Sequence, residues 1–481
     1  MTDDLLAGVE AAAGFAVFGG SPAASRRELV ARGIPGLLAS KDPTLWGPAA
    51  EAGAKERLAF LDDHRHGLEL LPLIAELHEE LGDLTEVVLA GPGGTAEVAA
   101  RTLGLRLTVL DDADPHRVRA LIDDAARLRR TLIVLRDDSL HPVLRQAYLD
   151  LGLSPAEAGR HFVTLTDTEI PGALAVPGDS GALTALAFAG ADVAELIDEA
   201  ELFAPSLAAD EDNPAMALGL ALAGARQIML VADGSSLESV GDWVAPLLTD
   251  ALGVLTLVVE PPGERHEDVL TISYGGSLPP AAVAGGPLRP DLAVNGPLGA
   301  HFLAWPYAAA LAAHVRGVDP FRSYPGEPAF DDPATPSFTD GTVEIFTTGA
   351  AGNLAEALRE LLAGVDDHLA VQAFLDRDGD AAVARIRPLL AAACGRPVAF
   401  GWGQYPRCGP QHGSFLQITG AVTGDVPVPG GPETLGGRQA ARAAADRHTL
   451  TRCGRPLLRL HLTDRTEGVR QLLAAAEMLR H

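Results

Sequence analysis

Two periodicities alternate along this chain. Short aliphatic runs predict strands, and between them lie longer stretches whose apolar residues recur every three or four positions and predict helices. Strands are expected at Glu86–Ala90, Arg106–Leu110, Leu132–Leu135 and Phe162–Thr166, with helical patterns between the early ones. The pattern restarts near Arg226, with strands at Gln227–Ala232, Leu255–Glu260, Val269–Tyr274 and Val343–Thr347 and an amphipathic helix at Ser236–Leu252. Two further strands, Val398–Phe400 and Leu457–Leu462, precede a final helix at Thr466–Leu479. Such alternation predicts parallel β-α-β units. The expected fold class is α/β, with two three-layer α/β/α subdomains built on mainly parallel sheets. Residues 1–70 read as a helical cap, 71–225 and 226–395 as the two subdomains, and 396–481 as a carboxyl-terminal segment packing across both. Residues 276–300 and 318–341 are rich in Pro and Gly and read as long loops over the site face.

Composition narrows the function. The chain has 481 residues, 47% of them hydrophobic but only 5% aromatic, so its cores are aliphatic. A net charge of −27 argues against nucleic acid and anionic membranes as partners, because both require basic surface. Lysine occurs only at Lys41 and Lys55, so nearly all positive charge is arginine. Cys394, Cys408 and Cys453 have the spacing of neither a zinc site nor a disulfide framework, as in a reduced, cytoplasmic protein. No apolar run reaches the ~18–20 residues of a membrane span. The start, Met1-Thr2-Asp3-Asp4, lacks the basic region of a signal peptide. No cofactor and no metal is expected.

Several segments carry candidate chemistry. Gly91-Pro92-Gly93-Gly94-Thr95 joins a strand to a helix, where glycines let the backbone approach an anion and the helix start offers N–H groups. Val109-Leu110-Asp111-Asp112-Ala113-Asp114-Pro115 follows it. Arg136-Asp137-Asp138-Ser139-Leu140 ends a later strand, and then comes Val176-Pro177-Gly178-Asp179-Ser180-Gly181-Ala182-Leu183-Thr184. Further on stand Asn213–Gly219, Gly241-Asp242-Trp243 through Asp250-Ala251-Leu252-Gly253, and Leu298-Gly299-Ala300-His301-Phe302. Phe400–Pro410 and Gly413–Ile418 close the series and hold Gln404 and Arg407. Near the start, Lys41-Asp42-Pro43-Thr44-Leu45-Trp46-Gly47 precedes Phe60-Leu61-Asp62-Asp63.

In this order the segments resemble the glucose-6-phosphate isomerase family, in particular the isomerase domain of bacterial fused transaldolase–isomerase proteins. The resemblance spans roughly residues 35–475. It implies two sugar-isomerase (SIS) type subdomains, aldose–ketose isomerisation of glucose 6-phosphate and fructose 6-phosphate, and a homodimer. It places sugar-phosphate contacts at Gly93, Gly94, Thr95, Arg136, Ser139 and Asp179, and catalytic groups at Asp250, His301, Gln404 and Arg407. Asp250 stands where the family has its glutamate base, and Val254 where a lysine follows it. Arg407 takes the place of the late lysine, and His301 that of a ring-opening histidine.

The departures follow one theme. Asp179 replaces an arginine that stabilises the enediol-like transition state, reversing charge where electrostatic stabilisation is largest. Asp137 and Asp138 replace the family's hydroxyl-rich phosphate loop. A unit charge pair at ~4 Å is worth about 4 kcal/mol at an effective dielectric of about 20, so a phosphate dianion is repelled there unless Arg136 offsets it. Three functions follow: an impaired glucose-6-phosphate isomerase, an inactive homologue that binds or regulates enzymes of sugar-phosphate metabolism, and a divergent isomerase or binder for a non-phosphorylated sugar. Asp111, Asp112, Asp114, Asp137, Asp138 and Asp179 are all expected near the carboxyl ends of neighbouring strands. There they either fan into water or are neutralised by protons, arginines or a hard cation such as Mg²⁺.

Overall fold

Glu10–Ala12 (β1) and Phe15–Phe18 (β2) form an antiparallel hairpin within the stretch expected to be helical. Its two-residue turn, Ala13-Gly14, has positive φ at both positions, 48° and 77°, the geometry whose twist suits a tight hairpin. The strands are too short for alternation to declare them, which is why the sequence hides them. The computed structural model describes residues 9–19, 23–111, 114–165, 170–176, 181–259, 269–278, 290–322, 335–403 and 413–480. The chain forms two compact units. One comprises Met1–Val109, Arg130–Asp138 and Pro155–Tyr324, and the other Leu110–Arg129, Ser139–Ser154 and Pro325–His481.

The first unit carries two sheets. β3 (Glu86–Ala90), β4 (Thr108–Leu110), β5 (Thr131–Leu135), β6 (Phe162–Thr164) and β7 (Leu174–Ala175) lie in the order β4-β3-β5-β6-β7. β3 pairs with β5, β5 with β6 and β6 with β7, all in parallel. β8 (Gln227–Ala232), β9 (Leu255–Val258), β10 (Val269–Gly275) and β11 (Leu292–Asn295) join the hairpin in the order β1-β2-β11-β10-β8-β9. Only the hairpin and the β2–β11 contact are antiparallel. A single apolar core runs through this unit around the helix Leu298–Arg316, whose Trp305 and Tyr307 are fully buried. Trp46 Nε1 donates to Ala310 O of that helix at 3.1 Å, and its ring meets Phe321 edge-on. Lys41 pairs with Asp62, so the Lys41–Gly47 segment acts as an anchor.

The second unit has one sheet. β12 (Phe338–Asp340), β13 (Val343–Phe346), β14 (Leu369–Phe374), β15 (Val398–Trp402), β16 (Ser414–Gly420) and β17 (Leu457–Leu462) lie in the order β12-β13-β17-β16-β14-β15. The four strands β15, β14, β16 and β17 run parallel. The fold is thus mixed α/β with parallel pairs predominating. The carboxyl-terminal strands complete one sheet with β12–β14, of which strand patterning marks only β13. β14, Leu-Ala-Val-Gln-Ala-Phe, is buried along its whole length, and a short apolar run of this kind cannot be told from a buried helix by periodicity.

One ordering recurs in all three sheets. The first parallel strand has its next two successors on opposite sides: β3 between β4 and β5, β8 between β9 and β10, β14 between β15 and β16. Each such reversal opens a crevice beyond the carboxyl ends of the strands, where ligands of open α/β sheets bind. Among the described residues, no helix is long and apolar enough to cross a membrane.

Candidate functional site

The glycine turn after β3 is built against the end of β5. Arg136 N donates to Ala90 O at 2.9 Å, locking the two strand ends together. Gly91 has φ 113°, and a Cβ there would lie 3.0 Å from Asp137 N. A Cβ on Gly93 would meet Leu89 at 2.6 Å and Val109 at 2.8 Å. Gly91 is held to glycine by its φ and the Asp137 backbone, and a Cβ on Gly93 would have to displace the Leu89 and Val109 methyls. The helix α1 (Gly94–Thr102) starts directly after. Arg136 Nη1 donates to Pro92 O at 2.9 Å. Gly93, Gly94, Thr95 and Arg136 are therefore gathered at the crevice between β3 and β5, with the guanidinium turned onto the glycine turn.

Two other sequence candidates, Asp250 and His301, lie on helices of the first unit. Asp250 is exposed in the last turn of α3 (Val240–Leu252). His301 is fully buried in the first turn of α4 (Leu298–Arg316). Trp305 Nε1 donates to its Nδ1 at 3.0 Å, while its Nε2 lies 3.3 Å from Gly275 O. An indole nitrogen only donates, so the imidazole proton belongs on Nε2, facing the carbonyl. Burial pushes the His301 pKa down to about 4. His301 is thus a neutral core group with both nitrogens in use. Asp112, Asp179, Gln404, Arg407 and Cys408 lie outside the described residues.

The acidic run after β4 belongs to the second unit and is met by arginines. Asp111 accepts from Arg377 at 2.9 Å and lies 3.6 Å from Arg117. Asp114, fully buried, caps α2 (Pro115–Ile122) through the amides of His116 and Arg117. Its other oxygen accepts from Gln439 Nε2 at 2.8 Å and lies 3.6 Å from Arg465 Nη1. Of the neutralisers open on the sequence reading, these two carboxylates use arginine. Among the described residues, no group of three His, Cys, Asp or Glu is placed to hold a metal ion.

Gln439 lies on α5 (Leu435–Arg452), the helix that covers one face of the sheet of the second unit. Strand alternation makes that face polar. Leu416, Ile418, Leu458, Leu460 and Leu462 enter the core of the second unit. The residues between them line a cavity of about 1120 Å³ under α5, among them Gln417, Thr419, Arg459 and His461. Register places Gln417 beside Arg459 and Thr419 beside His461. Gln417 is fully buried; its Nε2 donates to Ala443 O at 3.0 Å, and its Oε1 has no partner among the described residues. The Arg459 guanidinium carbon lies over the Phe346 ring, 4.0 Å from the centroid.

The helix adds Arg438, Arg442 and Arg447 to the lining, and Ser139, Glu433 and Thr434 complete its charged and hydroxylic groups. Arg438 holds Glu433 at 2.9 and 3.1 Å and donates to Ser139 O at 3.0 Å. Ser139, a sequence candidate for phosphate contact, therefore lies in this arginine-rich cavity. Burial pushes the pKa of His461 down; Glu344 opposes the shift, and Arg459 and Arg465 reinforce it. A motif reading passes over this site, although its signal is in the strands: Leu416-Gln417-Ile418-Thr419 and Leu458-Arg459-Leu460-His461-Leu462 alternate strictly.

No family model matches the chain, and neither does any curated protein. Among solved structures, a hypothetical protein of Thermus thermophilus aligns with TM-score 0.46 and 18% identity over 63% of this chain and 91% of its own. The tagatose-6-phosphate ketose/aldose isomerase of Escherichia coli aligns with TM-score 0.34 and 13% identity over 58% of this chain and 96% of its own. Both scores lie below 0.5, and neither likeness bears on the reaction.

Proposed function

We propose that this protein binds a phosphorylated sugar in the cavity of its second unit. In this reading it is a divergent relative of glucose-6-phosphate isomerases whose interconversion of glucose 6-phosphate and fructose 6-phosphate is strongly reduced. The observation that carries the reading is an inversion of charge. Among the described residues, Arg438, Arg442, Arg447 and Arg459 line the cavity against the carboxylate of Glu433, in a chain of net charge −27. Arginines so placed draw a phosphate dianion, and guanidinium forks match its oxygens. Gln417, Thr419 and Ser139 supply the polar groups that a sugar's hydroxyls need. A neutral or cationic sugar gains nothing from four arginines.

Reduced activity follows from the residues that the family resemblance places in the reaction. Asp179 stands in place of an arginine and Val254 in place of a lysine. Asp250 is exposed at a helix end, and His301 has both nitrogens occupied within the core. Loss of one transition-state charge partner alone is worth about 3–4 kcal/mol, or a factor of 10² to 10³. A cytoplasmic homodimer belongs to the same reading; light scattering at micromolar concentration tests the dimer.

The test is a pair of measurements on the full chain. Isothermal titration with glucose 6-phosphate, fructose 6-phosphate and glucose is expected to show binding of the two phosphates only. A coupled assay from fructose 6-phosphate to glucose 6-phosphate is expected to run at least ~1,000-fold below the ordinary enzyme range of about 10–1,000 per second. Turnover within that range contradicts impairment, and affinity for glucose equal to that for its phosphate contradicts the assignment of the cavity.

A further inference from the structure

We propose that His461 moves the proton between adjacent carbons of the sugar phosphate, with Nε2 as the base. The proposal rests on the reading of the cavity as a sugar-phosphate site and adds a residue that the family resemblance does not supply. Its first support is position. His461 is half-buried on β17, lines the cavity, and stands in the polar row opposite α5.

The second support is the tautomer. Thr419 Oγ1 lies 3.2 Å from Leu460 O and 2.9 Å from His461 Nδ1. A carbonyl only accepts, so the one hydroxyl proton goes to Leu460 O. Oγ1 must then accept from His461, which assigns the imidazole proton to Nδ1. Nε2 is left with its lone pair. The pairing also fixes the ring, as a third group fixes the base in other proton-transfer sites.

The third support is the surrounding charge. Glu344 faces His461 from β13, Arg459 shares its strand, Arg465 approaches from α6 (Arg465–Glu477), and the arginines of α5 line the same cavity. Burial and this positive surplus hold the imidazole neutral. The same arginines favour the negative charge that develops on a sugar oxygen. Glu433, the carboxylate of the lining, is exposed and held in two hydrogen bonds by Arg438.

The step balances without any co-reactant. Nε2 takes the proton from the carbon next to the carbonyl. The C–H electron pair becomes the C=C bond of an enediolate, and the carbonyl π pair moves onto oxygen. Nε2 returns the proton to the neighbouring carbon, and the hydroxyl proton passes from one oxygen to the other. Gln417 Oε1, buried and without a partner among the described residues, accepts from a sugar hydroxyl and positions it.

The test follows fructose 6-phosphate in D₂O by NMR with the full chain, alongside calorimetric binding of the same compound. Wild type is expected to exchange the C1 proton slowly but above the protein-free blank. His461→Asn and His461→Gln are expected to lose ~100-fold or more of that rate, within the 10²–10⁴ range of a general base. Affinity should stay within about threefold and the unfolding temperature close to wild type. The pH profile of wild-type exchange should show a group titrating below the ordinary histidine value, absent in both variants. Unchanged exchange in a variant that binds normally overturns the proposal, as does binding without exchange in wild type. Absence of binding in wild type instead overturns the reading of the cavity, and this proposal with it.

Discussion

Gln439 Nε2 donates to the fully buried carboxylate of Asp114 at 2.8 Å, tying α5 to the cap of α2. This contact holds the helix that roofs the cavity. Asp114→Ala removes the cap and leaves Gln439 Nε2 without its acceptor, while Arg465 keeps Asp380 and the Ala421 carbonyl. The lost cap is worth about 1 kcal/mol, and an unsatisfied buried donor about 1–3 kcal/mol more. Asp114→Asn keeps the cap and should cost clearly less. Thermal unfolding of the two variants should rank them in that order; equal losses contradict the role given to the cap.

His301 predicts how stability depends on pH. Its pKa lies at about 4 when folded, against an unperturbed value of about 6.5. Between these values the unfolded chain holds more protons, so stability rises with pH across this window and is lost on acidification. The difference corresponds to roughly 3 kcal/mol once pH falls through about 4. Burial lowers His64 and His461 as well, with the same sign. Chemical denaturation at pH 7 and pH 5 should show weaker stability at pH 5. His301→Gln should flatten part of that difference.

Gly91→Ala tests the close approach of β3 and β5. The position has φ 113° and the new Cβ would lie 3.0 Å from Asp137 N. Strain of this kind costs on the order of 1–3 kcal/mol. A substitution that leaves the unfolding temperature unchanged contradicts the geometry of the turn.

Much of the fold was legible because strands such as Glu86–Ala90, Gln227–Ala232 and Leu457–Leu462 are short aliphatic runs bounded by turn residues. β14 and the Glu10–Phe18 hairpin were not, the first because it is buried on all sides and the second because it is too short. Of the proposed cavity, sequence motifs mark only Ser139; the glycine turn with Gly93, Gly94, Thr95 and Arg136 lies in the first unit. The cavity was missed because no single residue announces it. Gln417, Thr419, Arg459 and His461 form a polar face only once β16 and β17 pair in register, and Arg438 and Arg442 matter only once α5 covers that face. Ser139 lines the same cavity, and its carbonyl accepts from Arg438.

The central claim, that the cavity under α5 holds a phosphorylated sugar, is tested most directly by titrating glucose 6-phosphate into wild type and into Arg442→Glu. Wild type should bind, with affinity falling as salt rises, and glucose should not compete. Reversing one charge within ~4 Å of the phosphate should weaken binding by tenfold or more, since each tenfold is about 1.4 kcal/mol. Equal affinity in the two proteins, or tight binding of glucose itself, would contradict the account.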